Sequence, residues 1–421
     1  HLSIRRQRQM CIRDSVWAAT IVLAEVPSGA LADIIGRKRL LVATSVLMIL
    51  EMTLICFVPL GNISLIFWVF LVNRVLSGLA EAMASGADEA LAYDTLVERG
   101  MADEWSRVLD MQMRMQSAGF VVTMTLGALV YDPAIVNRVL ELFGSSVTVT
   151  QQVSMRFPLY LTLVLGFMAL LATLSMTEPL VDGQGSSRSG STAEVIGRAV
   201  RLTWQAGCWI FKTPFALAVI LFGMTFDHTL RMIVTMTSQY YRLISLPEAS
   251  FGLIGSAIGI LGLVIPRVAR AMTRHWTPTR NLGVLAVISL AGLWGLTGFY
   301  PYVGLLPMVL VFVGLMLTSF FTSHYLNRIT SSGHRATVLS FKGLSFNLAY
   351  GMIGLLYAGL MRHLRAEQGV IHPSWPAQAV ENQAFRESIF WFPWYTLIIF
   401  ASVLLFCLRI RRYLAARKEC G

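Results

Sequence analysis

Four polar residues and a glycine recur at helical spacing inside one apolar stretch. Arg74, Gly78, Glu81, Ser85 and Asp88 are separated by 4, 3, 4 and 3 positions, which puts them on one face of a helix. A second apolar stretch holds Asp227, His228 and Arg231. Asp227 and Arg231 are one helical turn apart and can pair, and a histidine can titrate near neutral pH. Glu25 and Glu51 interrupt two further apolar runs. Ser319, Thr322, Ser323, Asn347 and Tyr350 add neutral polar groups to others, where such residues commonly join helix to helix. Ionisable groups in hydrocarbon are costly, and those that persist mark solute paths, ion relays or paired helix contacts. The chemistry on offer is ion binding and proton exchange. No H-E-x-x-H, G-x-S-x-G or phosphate-binding P-loop occurs, so no enzyme activity is expected. The five cysteines form no C-x-x-C pair and are odd in number, so neither a metal centre nor a disulfide framework is expected, and no cofactor.

The elements that must position these groups are membrane helices. The chain of 421 residues is 55% hydrophobic and 14% charged, against about 25% charged residues in an ordinary soluble domain. Eleven apolar spans follow one another, over 16–32, 40–60, 64–91, 108–130, 157–176, 214–240, 251–272, 281–300, 303–323, 336–361 and 390–408. Residues 177–191, rich in Gly and Ser, read as a flexible linker. Residues 192–212, with Arg198, Arg201 and Trp204, read as an amphipathic helix at the membrane surface.

The net charge of +11 follows the same layout and does not indicate a nucleic-acid partner. The basic residues gather in loops beside apolar spans, the pattern that marks the cytoplasmic side. Placing Arg37–Arg39 inside puts the loops at 92–106, 177–212, 273–280 and 324–335 and the basic C-terminal tail inside as well. The outer loops then hold only Arg138, Arg156, Arg242, Arg362, Arg365 and Arg386. Residues 1–15 fit none of this. They start without Met and carry Arg5, Arg6, Arg8 and Arg13 on the side where basic segments are disfavoured. We expect a junction or foreign leader there.

The turn between the first two spans carries a recognisable pattern. Gly29, Leu31, Asp33, Gly36, Arg37, Lys38 and Arg39 stand in G-x-L-A-D-x-x-G-R-K-R, which resembles the loop 2–3 signature of the major facilitator superfamily of secondary transporters. Asn73, Arg74 and Gly78 resemble that family's shorter helix 4 motif. The resemblance implies an all-α membrane fold of two pseudo-symmetric six-helix bundles joined by a cytoplasmic linker. Span 16–32 would then be helix 2, helix 1 would be absent, and 11 of the 12 helices would be present. The N-terminal bundle would occupy 16–176, the linker 177–212 and the C-terminal bundle 213–421.

The resemblance also implies roles. The signature, Gly29 to Arg39, would act as a cytoplasmic gate. Asp33 would meet the start of helix 11 near Ala336 and Thr337, and Arg37 would pair with Asp88, Glu89 or Asp94. Helices 1, 4, 7 and 10 line the family's central cavity, which would gather Arg74, Glu81, Asp227, His228 and Arg231, with Glu25 at its edge and Asn347 nearby. Asp227 or His228 would carry a coupling proton whose affinity Arg74 tunes. Glu51, on a peripheral helix, would pack against a neighbour. The expected function is rocker-switch transport of a small organic solute, as proton-coupled efflux, by a monomer in the bilayer of a bacterial inner membrane, its C-terminus cytoplasmic. A metabolite importer or uniporter, or a non-transporting sensor on the same fold, are the alternatives. The stretch from Gln112 to Tyr131 lacks the Gly-Pro step common in the family's drug antiporters, which argues against that subset.

Overall fold

A computed structural model describes residues 2–59, 61, 63–144, 147–178, 192–247 and 250–419. Among these, the regular structure is helical throughout. The helices are α1 (Leu2–Ile35), α2 (Arg37–Cys56), α3 (Ile63–Ala84), α4 (Ala87–Glu98), α5 (Trp105–Tyr131), α6 (Pro133–Leu142), α7 (Gln151–Ser154) and α8 (Phe157–Ser175). They continue as α9 (Thr192–Lys212), α10 (Pro214–Thr235), α11 (Thr237–Leu243), α12 (Phe251–His275), α13 (Pro278–Leu296), α14 (Leu305–Ile329), α15 (Arg335–Ile371) and α16 (Ala377–Glu419). Ten helical segments among the described residues are long and apolar enough to cross a membrane. Ala102–Tyr131 with Pro133–Leu142, bent by 80°, makes an eleventh. Large apolar side chains such as Leu23, Leu171 and Leu355 are exposed, as lipid-facing positions require.

Three local features depart from the sequence reading. First, the backbone of 2–15 continues the helix of the first span, so α1 starts at Leu2. Second, the stretch 64–91 is two helices. Gly86 adopts φ +76, a left-handed conformation that glycine takes at no steric cost, and the chain breaks there between α3 and α4. Asp88 therefore belongs to a different helix from Arg74. It lies exposed in the first turn of α4. Third, α15 and α16 are far longer than their apolar cores, at 37 and 43 residues. At 1.5 Å per residue they reach about 55 and 65 Å, against a hydrocarbon layer of about 30 Å. Polar bonds stabilise the overhang: Arg365 grips Glu381 at 2.5 and 2.8 Å, and Gln368 donates to Glu387 at 2.8 Å. The expected linker lies mostly outside the described residues, at 179–191. The helix that follows it is α9, with Ala199, Ala206 and Ile210 buried and Val200, Trp204 and Phe211 exposed.

The chain divides into two compact units. One holds His1–Ala102, Gly119–Cys208 and Thr330–Leu344; the other holds Asp103–Ala118, Trp209–Ile329 and Ser345–Gly421. Each unit thus takes in the N-terminal part of one helix from the opposite half of the sequence. The first contains the start of α15, and the second contains the start of α5.

Candidate functional site

In the first unit, the basic turn is built on a buried charge cluster. Gly36, at φ +106, separates α1 from α2 by one residue. Asp33 in the last turn of α1 and Arg37 in the first turn of α2 therefore lie side by side. The Arg37 guanidinium donates to Asp33 at 3.0 Å, to the Ala90 carbonyl at 3.2 Å and to the Ser332 carbonyl at 2.7 Å, and it also pairs with Asp94 of α4. Asp94 pairs in turn with Arg335 and accepts from the Ser332 hydroxyl. Arg335 stacks over Tyr93 at 4.4 Å. The side chains of Arg37 and Asp94 are 1% and 0% exposed, a burial that charged groups tolerate only when paired and hydrogen-bonded. Two carboxylates and two guanidiniums balance one another here.

The Asp33 carboxylate has a further task. It accepts from the Ala336 amide at 3.3 Å, the Thr337 amide at 2.9 Å and the Thr337 hydroxyl at 2.8 Å. The first amides of a helix lack partners within it and carry the positive end of its dipole. Asp33 thus caps α15 from another helix. The partner of Arg37 on α4 is Asp94, not Asp88, whose carboxylate accepts from the Glu89 amide at 2.7 Å instead. Glu89 pairs with Lys342 at 3.4 Å. Lys38 is half-buried and Arg39 exposed.

At Gly29, α1 packs closely on α15. A Cβ built there would lie 2.9 Å from the Ala336 carbonyl and overlap the Ser340 side chain. Overpacking of this kind costs about 1–3 kcal/mol. Gly29→Val is expected to lower the melting temperature of the purified protein, whereas the same change at Gly351, where a Cβ meets nothing, leaves that steric cost out.

Sequence reasoning missed Glu178, just past α8. Its two carboxylate oxygens accept the Arg37 and Lys38 amides, each at 2.8 Å. They supply the N-terminal cap that Gly36, having no side chain, cannot give to α2. Its position inside the stretch read as linker hid it, since no local motif ties it to α2. Losing such a cap costs about 0.5–2 kcal/mol. Glu178→Ala is expected to speed amide hydrogen exchange in the first turn of α2 and leave exchange in α8 unchanged.

Polar groups on α1, α2 and α3 sit in the same unit. Glu25 is buried and accepts from the Ser85 hydroxyl at 2.8 Å, and its carboxylate occupies the space a Cβ would need at Gly343. Gly78 packs on α1, at Trp17 and Thr20. Glu51 is buried against α3, where the Ser77 hydroxyl bonds its carboxylate and the charges of Arg74 and Glu81 act on it. Arg74 is half-buried and Glu81 exposed.

In the second unit, Arg231 of α10 pairs with Asp227 at 2.5 Å, donates to the Asn347 side-chain oxygen at 3.1 Å and lies over the Tyr350 ring at 5.2 Å. This group joins α10 to α15. The Arg231 side chain is 32% exposed and that of Asp227 11%. His228 does not join it. Consecutive helical residues point about 100° apart, and its ring turns to α16, with Nε2 3.1 Å from the Tyr395 hydroxyl and Nδ1 2.5 Å from the Met224 carbonyl.

A second feature absent from the sequence reading lies at the start of α5. Buried Asp110 pairs with Arg270 of α12 at 3.4 Å. Glu104 pairs with Arg274 at 3.8 Å and Asp103 with Arg328 at 3.7 Å. The second unit thus holds the start of α5 by charge pairs, as the first holds the start of α15. The signal was present as Arg267, Arg270 and Arg274, at 3 and 4 spacing on one face of a span end.

The sequence pattern of the Major Facilitator Superfamily matches residues 12–355. The chain belongs to this superfamily. Among solved structures it is similar to the proton:xylose symporter XylE bound to 6-bromo-6-deoxy-D-glucose, at 12% identity and TM-score 0.63, over 93% of this chain and 84% of that one. A bacterial homologue of the iron transporter ferroportin in its outward-facing state gives 13%, 0.63, 94% and 89%. The human organic anion transporter MFSD10 gives 14%, 0.60, 92% and 82%. A search of curated proteins finds no match. At these identities the structures share the fold with this chain and do not fix its solute. The superfamily and these neighbours are transporters, not enzymes, and the chain is an integral membrane protein.

Proposed function

We propose that this superfamily member is a secondary transporter that moves a small organic solute by alternating access, as proton-coupled efflux. The carrying observation is the buried cluster of Asp33, Arg37, Asp94 and Arg335 with the capped start of α15. A cluster that is charge-balanced in one arrangement, and broken when α15 shifts, is a two-state element. In this reading it is the cytoplasmic latch, closed while the solute site faces outward. Opening it separates Asp33 from the α15 amides and lets water reach the buried charges, which offsets part of the cost.

The solute and proton site in this reading is Asp227, Arg231, Asn347 and Tyr350. With Asp227 ionised, Arg231 is neutralised by it. Protonation of Asp227 releases the guanidinium, which then offers donors to a solute oxygen or carboxylate beside the Asn347 amide and the Tyr350 ring. His228 is assigned to the α16 contact, and Arg74 to the electrostatic balance of Glu51. The basic loops support a cytoplasmic C-terminus and an inner-membrane location.

The test is flux. The chain is reconstituted in sealed vesicles and a panel of labelled sugars, nucleosides and organic anions is followed with and without an imposed proton gradient. The reading expects at least one solute to move against its gradient when protons run down theirs. Movement only down the solute gradient would favour a uniporter, and binding without flux a sensor.

A further inference from the structure

The second unit contains an apolar cavity that the latch and the Asp227 group do not use. Its volume is about 440 Å³, within the range of about 300–1,000 Å³ typical of sites for small ligands. It lies among the N-terminal turns of α10 and α13 and the C-terminal turns of α14 and α16. Ala218, Phe222, Leu285, Phe321 and Leu404 are among its walls, and Cys407 is its one thiol. Its walls are mostly apolar, with hydroxyls from Thr318, Thr322 and Tyr325, and basic residues flank the lining segments in sequence. Lys212 precedes Pro214, Arg280 follows Thr279, Arg328 lies one turn past Tyr325, and Arg409 stands between Leu408 and Ile410, each neighbour being a lining residue. All four cations are exposed. Arg280 is held over the Trp276 ring at 4.5 Å, and Arg328 pairs with Asp103 at 3.7 Å.

A mostly apolar slot whose lining segments are flanked by exposed cations suits a lipid with an anionic headgroup. Basic residues near a membrane surface favour such headgroups by electrostatics, and the buried chain adds hydrophobic stabilisation. We propose that this cavity is a binding site for an anionic phospholipid. One acyl chain lies between α10, α13 and α16, and the phosphate sits among Lys212, Arg280 and Arg409. Only the leaflet depends on the orientation proposed above, which makes it the cytoplasmic one.

The test uses the full chain in phosphatidylcholine vesicles doped with either phosphatidylglycerol or phosphatidylcholine carrying a photoreactive acyl chain. Crosslinked peptides are mapped by mass spectrometry. Phosphatidylglycerol is expected to label the lining residues of α10, α13 and α16 preferentially. Arg280→Gln and Arg409→Gln, both exposed and so tolerated by the fold, should each lower that preference about fivefold. Ala218→Trp should block labelling at this site while leaving that of the exposed face of α8 unchanged. Equal labelling by both lipids, or labelling no denser than on α8, overturns the proposal. So does loss of lipid labelling together with a crosslinked second copy of the chain. The readout requires no transport, so it stands or falls apart from the flux result.

Discussion

Replacing Asp33 with lysine abolishes solute flux in reconstituted vesicles while the chain still inserts and is recovered from membranes in normal amount. The expectation follows from the partners. Asp33 faces the Arg37 guanidinium and two amides at the positive end of α15. A lysine there puts a third cation beside Arg37 and Arg335 and leaves the α15 amides without an acceptor. Breaking a buried ion pair by removing one partner costs about 3–5 kcal/mol, which lowers the latched population by two or more orders of magnitude. Insertion depends on the apolar spans, which the change leaves alone. Asp33→Asn keeps the shape and some acceptor capacity, so it should retain weak flux. A lysine variant that transports normally removes the latch.

The second large effect is at Asp227. Asp227→Asn is expected to uncouple transport from protons: the imposed gradient no longer drives solute accumulation, while exchange of labelled for unlabelled solute persists. The side chain is nearly isosteric and can still accept from Arg231, so the Arg231–Asn347 contact survives and only the titratable group is lost. His228→Gln is the companion variant. Its ring is occupied by Tyr395 and the Met224 carbonyl, so proton dependence should be kept. Loss of coupling in the histidine variant and its retention in Asp227→Asn would reverse the assignment. Unchanged proton dependence in both would remove this group as the coupling site.

How much of this could be read from residues alone differs by feature. Membrane helices were legible because a span needs about twenty apolar residues in a row. The Asp227–Arg231 pair was legible because a spacing of four fixes neighbours on a helix. The resemblance puts Asp33 near Ala336 and Thr337, and its carboxylate meets both amides. The resemblance left Asp88, Glu89 and Asp94 open as partners of Arg37, and the guanidinium pairs with Asp94. The periodicity from Arg74 to Asp88 runs through a glycine as if it were any residue, whereas Gly86, at φ +76, stands between α3 and α4. The overhang of α15 and α16 was read as a polar connection, since the pairing of Arg365 with Glu381 joins helices that composition treats separately. Glu178 was out of reach for the same reason, and for Asp110 only the basic face of its partner helix was visible. Their partners lie 141 and 160 residues away, and only the fold brings them close.

The most direct measurement is the labelling of a cysteine at Ser340 by a membrane-impermeant maleimide, in a background stripped of native cysteines. Ser340 is fully buried, packed on Gly29, and its hydroxyl donates to the Ser85 carbonyl at 3.0 Å. It is therefore covered while the start of α15 is latched and uncovered when the latch opens. Ser340→Cys should label slowly from the cytoplasmic face with Asp33 intact, and at least tenfold faster, about 1.4 kcal/mol, with Asp33→Asn. Equal rates in the two backgrounds would contradict the account.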